Sequence, residues 1–314
     1  MISIVIPTRN GEQSLDELLR QLEAQSCAAE FEILVVDSSS TDATREIARQ
    51  HGARVVKISA SEFDHGATRS MAAELATGEF IVFLTQDAIP VDEHCISHLV
   101  APLQQHRDIA VTYGRQLPKA DASIFAQHLR AFNYDEKSRI RCFEDKDTLG
   151  LKTIFVSNSC AAYRATALVS IGYFGGEHLF AEDACAVARL LQQGFKVAYV
   201  AEALVFHSHN YSVLQELRRY FDVGAFHRRQ HWLIEEFGSA GGAGRNYVRS
   251  EFNCLRKQNK YYLLPSFFIR NLMKLAGYKL GYYHTLLPES IIPFLSMNPA
   301  WWKKIKSRKD GHSG

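Results

Sequence analysis

Short apolar runs alternate along the first third of the chain with stretches in which apolar residues recur every three or four positions. Ile2-Ser-Ile-Val-Ile-Pro7, Glu32-Ile-Leu-Val-Val-Asp37, Arg54-Val-Val-Lys-Ile58 and Glu79-Phe-Ile-Val-Phe-Leu84 have the length and β-branched content of buried strands. Between them, Leu15, Leu18, Leu19 and Leu22 fall at helical spacing, and residues 42–51 and 68–76 also read as helices. Strands alternating with helices predict βαβ units, an α/β fold and a mainly parallel sheet. Right-handed crossovers then gather the strand C-termini, and any ligand, along one edge. Asp37 and Asp87 both fall at such ends. A lone Asp there serves equally well as a turn or cap residue.

Residues 110–160 are less regular. Residues 135–147 are dense in charge and read as a surface loop, and 153–156 as a strand candidate. Farther on, 184–191 reads as a helix, 196–206 as containing a strand and 213–229 as a helix with apolar and basic faces. Residues 238–244 form a Gly-Ala turn or linker, and 261–283 are rich in aromatic, apolar and basic side chains. The expected organisation is a catalytic domain over residues 1–212 and a helical region over 213–314.

Composition narrows the class. Apolar residues make up 46% and charged residues 22% of the 314, enough to build a large core. Lys plus Arg total 36 against 34 Asp plus Glu, so net charge gives no reason to propose a nucleic-acid partner. Six cysteines at long, irregular spacing, none in a CxxC, read as reduced, buried thiols of a cytosolic protein. No signal peptide is read, because the run from Ile2 to Pro7 is short and lacks a basic lead. No stretch reaches the roughly 18 uninterrupted apolar residues of a membrane span.

The candidate chemistry lies in an ordered series of motifs. Ser3-Ile-Val-Ile-Pro-Thr-Arg-Asn10 is followed by Asp37-Ser-Ser-Ser-Thr-Asp42, Arg69-Ser70, Ala76-Thr-Gly-Glu79, Thr85-Gln-Asp87 and Glu182-Asp183. In this order and spacing the chain resembles the family 2 inverting glycosyltransferases of the GT-A fold, over about residues 1–210. Phe63-Asp-His-Gly-Ala-Thr-Arg69, Leu84-Thr-Gln-Asp-Ala88 and Phe206-His-Ser-His-Asn-Tyr-Ser212 resemble more narrowly the rhamnosyltransferases of bacterial O-antigen and cell-wall polysaccharide synthesis. The implied reaction moves a deoxyhexose, L-rhamnose, from dTDP-L-rhamnose to a polyprenyl-diphosphate-linked saccharide.

The resemblance implies roles for individual residues. Asp37 would accept the N3–H of a pyrimidine base, a bond to a charged acceptor worth roughly 1.5–3 kcal/mol. Arg69 would hold the diphosphate or the edge of the base through its planar fork. Pro7, Thr8, Asn10, Ser39 and Gln86 are implied donor contacts, with Asp64 and His65; Gly66 would permit close backbone approach. Asn158 is either a donor-sugar contact or a turn residue. The departing nucleoside diphosphate needs a divalent cation, Mg²⁺ or Mn²⁺, with Asp87 as its main protein ligand. Position 85 is Thr where the family often has a second acid, so His207 is the implied second ligand, tilting the choice toward Mn²⁺. A satisfied core histidine is the plain alternative. Asp183 matches the base that deprotonates the acceptor hydroxyl, and a helix N-terminus would keep it ionised; otherwise it is an N-cap. Glu182 and His209 are acceptor contacts, Glu182 alternatively a loop-positioning residue.

The C-terminal third is expected to be helical. Trp301-Trp302 precede Lys303, Lys304, Lys306, Arg308 and Lys309, a combination suited to peripheral contact with the inner face of the plasma membrane. An ordinary helical subdomain and a homodimer interface are the alternatives. Three competing functions remain: a UDP-sugar donor, a non-catalytic nucleotide-sugar-binding scaffold, and a metal hydrolase built on Asp87, His207 and His209.

Overall fold

The computed structural model describes residues 1–176, 178–238 and 242–311, the last five through the backbone alone. Residues 239–241 of the Gly-Ala segment and the side chains of Arg308 and Lys309 lie outside the described set. Among the described residues, nine strands form one sheet: β1 (Ile2–Thr8), β2 (Phe31–Ser38), β3 (Arg54–Ile58), β4 (Phe80–Leu84), β5 (Ile89–Pro90), β6 (Ile109–Leu117), β7 (Arg139–Arg141), β8 (Cys160–Arg164) and β9 (Lys196–Phe206). Their order is β3-β2-β1-β4-β8-β6-β9-β5, with β7 also on β9. The first four pair in parallel, as the βαβ pattern requires. The rest is mixed: β8 lies antiparallel between β4 and β6, and β6 and β9 are parallel.

The sheet is buried on both faces because alternate residues of each strand meet different layers. Val5, Val36 and Phe83 face one core; Ile4, Ile6, Val35 and Val82 face the other. Helix α1 (Glu12–Glu23) presents Leu15, Leu18, Leu19 and Leu22 to the second core, all fully buried. Helices α2 (Thr44–Gln50), α3 (His65–Leu75) and α4 (Cys95–Gln105) complete the first half. Then follow α5 (Ile124–Asn133), α6 (Lys146–Leu149), α7 (Ala165–Ser170) and α8 (Glu182–Gln192).

The region read as irregular is built differently from its sequence appearance. It holds β6, α5 and β7, and β8 begins where it ends. The charged 135–147 stretch contains β7, an edge strand on β9, flanked by the Asp135–Arg139 and Arg115–Glu136 ion pairs. Residues 153–156 are not a strand; a 3₁₀ turn runs over Gly150–Ile154.

Beyond residue 212 come α9 (Val213–Arg229), α10 (His231–Phe237), α11 (Ala243–Lys257), α12 (Leu264–Tyr282), α13 (Ile292–Leu295) and α14 (Pro299–Gly311). Phe226, Leu233 and Phe237 enter the same core as Phe83 and Tyr163. Leu255 and Phe267 pack with Phe125 of α5. Trp301 and Trp302 correct the expectation of an interfacial Trp pair. They are buried, packing with Phe221, Leu179 and Ile292, and so cannot lie at headgroup depth. No described helix is long and apolar enough to cross a membrane. All six cysteines are free thiols, three of them buried.

Candidate active site

The strand ends open into a cleft of about 930 Å³, walled on one side by the sheet edge and on the other by α5 and the C-terminal helices. The implied donor, metal and acceptor residues Pro7, Thr8, His65, Arg69, Gln86, Asp87, Asn158, Glu182, Asp183, His207 and His209 all line it. Asn10, Asp37, Ser39, Asp64 and Gly66 do not.

Each of these five is engaged in the loops behind the wall. Asn10, at a left-handed φ of 47°, accepts from the Thr41 N–H and donates its own N–H to Ser40 Oγ. It thereby ties the loop after β1 to the loop after β2. Ser39 turns its hydroxyl to the Ile58 carbonyl. Asp64 is the N-cap of α3, accepting from the N–H groups of Gly66 and Ala67. Gly66 does permit a close backbone approach, but the partner is internal: a Cβ there would meet Gly175 O at 2.5 Å. Asp37 is fully buried opposite Thr8 across the β1–β2 ladder. One of its carboxylate oxygens accepts from Ser40 N; the other has no partner, an acceptor left open beside the cleft-lining Ser38.

Asp87 and two histidines form the first cluster. One ligand atom from each of Asp87, His207 and His209 lies within 4.8 Å of the others. His207 Nε2 stands 3.5 Å from Asp87 Oδ1, and His209 Nε2 4.0 Å from Oδ2. Gln116 sets the His207 tautomer. Its Oε1 already accepts from Arg130 while its Nε2 donates to Ser157 Oγ, so at 2.9 Å it is His207 Nδ1–H that donates to it. Nε2 is left unprotonated and aimed at Asp87, the state a metal ligand needs. Burial outweighs the attraction of Asp87 and pushes the His207 imidazole down to about 3, so the ring stays neutral. The donor set fits a divalent cation: one carboxylate and two imidazoles, with Lys119 Nζ 3.6 Å from Asp87 as the group that would give way. His209, read from sequence as an acceptor contact, thus belongs geometrically with the metal candidates.

The second cluster is the acid pair at the start of α8. Ala181, ahead of it, holds a left-handed φ of 57° and turns the chain so that both carboxylates enter the cleft. Arg69, implied as a diphosphate ligand, is itself buried and spends its Nη1 on Glu182 at 3.0 Å. Burial alone would raise Glu182, but Arg69, His65 and the Asn158 hydrogen bond hold its carboxyl below the usual range. Asp183 behaves oppositely. Burial, then the charge of Glu182, pushes it up to about 7, against the N–H groups of Asn158 and Ala184. The expectation that the helix N-terminus would keep it ionised is therefore corrected: a dipole worth roughly 0.3–1 kcal/mol is outweighed by desolvation beside a like charge. Asn158 is neither a plain turn residue nor an open contact group. Its N–H meets Asp183, its amide donates to Glu182, and its Oδ1 accepts from Tyr163 OH.

Gln86 brackets the two halves of the site. Its side chain both accepts from Arg9 N and donates to Arg9 O, fixing the β1 loop to the β4 loop. Sequence reasoning missed Gln116, Lys119 and Arg130. A lone Gln in a strand and two basic residues in an irregular stretch carry no spacing signal; the β6–β9 pairing brings Gln116 to His207, and the packing of α5 brings Arg130 to Gln116.

A doubly covered α/β sheet thus brings an Asp–His cluster and an acid pair into one cleft at its strand ends. The chain belongs to glycosyl transferase family 2, whose family model matches residues 3–172, and it is a glycosyltransferase. It is 40% identical over 306 residues to the O-antigen chain rhamnosyltransferase WbaN of Salmonella anatum, covering 97% of this chain and 96% of that one. It is 39% identical over 307 residues to RfbN of Salmonella typhimurium, described in the same words, covering 97% of each. Among solved structures, the fold is similar to that of the mannosyltransferase PcManGT from Pyrobaculum calidifontis, in complex with GDP-Man and Mn²⁺. That match has a TM-score of 0.63 at 13% identity, over 90% of this chain and 87% of that one. S. aureus TarS 1-349 in complex with UDP-GlcNAc matches with a TM-score of 0.55 at 17% identity, over 99% and 92%.

Proposed function

We propose that the protein transfers L-rhamnose from dTDP-L-rhamnose, with inversion, to a polyprenyl-diphosphate-linked saccharide in O-antigen synthesis. The observation that carries the reading is the placement, in one cleft, of the Asp87–His207–His209 cluster and the Glu182–Asp183 acid pair. Near-full-length similarity to two O-antigen chain rhamnosyltransferases supports the sugar and the pathway class. Asp87 and His207, with His209, would hold Mg²⁺ or Mn²⁺, which when bound neutralises charge on the diphosphate.

The protein's own groups do the rest. Asp183 takes the proton of the acceptor hydroxyl as its oxygen forms the new bond to the anomeric carbon. The bond from that carbon to the diphosphate breaks on the opposite face, and the electron pair leaves with the nucleoside diphosphate. One displacement inverts the centre. Glu182 and Asn158 hold Asp183 in place and set its basicity. Thr8 and Gln86, which line the cleft, shape the donor loop.

Calorimetry of dTDP-rhamnose, UDP-glucose, UDP-galactose and GDP-mannose with and without Mn²⁺ tests the donor. Metal-enhanced binding selective for dTDP-rhamnose is expected; tighter binding of a UDP- or GDP-sugar overturns the rhamnose assignment. Asp183→Asn should lower transfer roughly 10²- to 10⁴-fold with donor binding retained. Full transfer by a folded Asp183→Asn protein removes Asp183 from the base role.

A further inference from the structure

Helix α12 is built inside out for a surface helix. Its inner face carries glycine: a Cβ at Gly277 would meet Leu217 O at 2.2 Å, and one at Gly281 would meet Phe221 O at 1.9 Å. The helix therefore lies hard against α9. The same side sends Arg270 and Lys274 into the cleft, where both pair with Glu216. On the side turned away, where polar residues are expected, stand Phe268, Leu272 and Leu275, 63%, 61% and 58% exposed. They recur at the three- and four-residue spacing of a single stripe. Tyr262 before the helix and Leu286 after it are 72% and 79% exposed.

Charge decides what can cover this face. Between Glu251 and Glu289 the chain has no acidic residue, whereas it has six cations. Two of these, Arg270 and Lys274, turn inward; Arg256, Lys257 and Lys279 are exposed. An apolar stripe that carries the exposed Lys279 on its own helix, with an exposed Tyr262 just before it and no acidic residue from 252 to 288, matches an anionic lipid surface. Aromatic and aliphatic side chains enter the headgroup boundary, and Lys and Arg meet lipid phosphates. A second copy would bring like charges together.

We propose that the outer face of α12 docks on an anionic membrane, presenting the cleft behind it to a lipid-linked acceptor. Its biological sense rests on the acceptor reading above, because a polyprenyl-anchored substrate stays at the bilayer while its saccharide reaches the cleft. The buried Trp301-Trp302 pair takes no part.

The test is co-sedimentation of the full chain with phosphatidylglycerol-containing vesicles, against pure phosphatidylcholine vesicles, without donor. Selective binding to the anionic vesicles, weakened by salt, is expected. The double variant Phe268→Ser, Leu272→Ser should bind roughly tenfold or more weakly, and Lys279→Glu should lose much of the anionic preference. Both change exposed residues, so circular dichroism and donor binding should match the parent protein. Absence of vesicle binding, or variants that bind as tightly as the parent, overturns the proposal. So does a dimer by light scattering that the double variant turns into a monomer, since the face then serves a second copy. Vesicle binding is read without donor and so does not depend on the rhamnose reading, which the donor calorimetry tests separately; either can fail while the other stands.

Discussion

At the scale of single residues, the site is governed by what burial does to neighbouring carboxyls. Glu182 and Asp183 are adjacent in the chain, yet one is held acidic by Arg69 while the other is pushed up to about 7 by desolvation and by Glu182. On the proposed base role of Asp183, which requires the ionised carboxylate, transfer under acceptor-limited conditions should rise with pH through about 7 and level off above it. Glu182→Gln removes the neighbouring charge and should move that rising limb to lower pH; a pH–rate profile measures it, and an unmoved limb means burial alone sets Asp183. The stability sign runs the other way from a salt-bridged acid. The folded chain holds the Asp183 proton more tightly than the unfolded one, so this group's contribution declines as pH rises from the ordinary carboxyl value of 3.8 through about 7. Asp183 and His207 were legible as candidates because motif order marks them. Gln116 was not, because the tautomer it imposes depends on a contact between residues 91 apart in the chain.

At the scale of elements, strand legibility followed side-chain type. β1, β2 and β4 are near-continuous Ile, Val, Leu and Phe and stand out against their surroundings. β8 reads Cys-Ala-Ala-Tyr-Arg, too small and mixed to signal a strand, and becomes one only because it fills the slot between β4 and β6. The α9–α12 contact is likewise invisible in one dimension, since a glycine is more often read as a helix breaker than as a packing surface. It carries a sharp expectation. Gly281→Ala puts a methyl 1.9 Å from Phe221 O, backbone that cannot step aside, and should destabilise the protein by about 1–3 kcal/mol in thermal denaturation. Gly244→Ala in α11, with nothing within 4 Å of the added methyl, is the matched control and should be neutral or slightly stabilising. Equal behaviour of the two would mean that the close packing of α9 on α12 contributes nothing to stability.

At the scale of the whole molecule, the helices after residue 212 are part of the fold that holds the cleft. Phe226, Leu233 and Phe237 belong to the core that also contains Phe83 and Tyr163. Removing them would leave that core open along one side, so a fragment of residues 1–212 should lack a near-ultraviolet dichroism signal and bind a hydrophobic dye. A fragment with a cooperative melting transition would instead make the C-terminal helices a separable appendage. The same helices wall the cleft with Glu216, Tyr220, Arg270 and Lys274, so the volume available to an acceptor is a property of both parts of the chain.

The amino-acid sequence by itself determined the α/β class, the first four strands, the family and a set of candidate site residues. These depend on local periodicity and on short motifs, which need no knowledge of neighbours in space. Only the tertiary structure decided which of those residues share a cleft, that Arg69 serves Glu182, that His209 joins Asp87, and that Trp301 and Trp302 are interior while Phe268 and Leu272 are not. Burial, tautomer and pKa are set by atoms distant along the chain, and linear order does not carry that information.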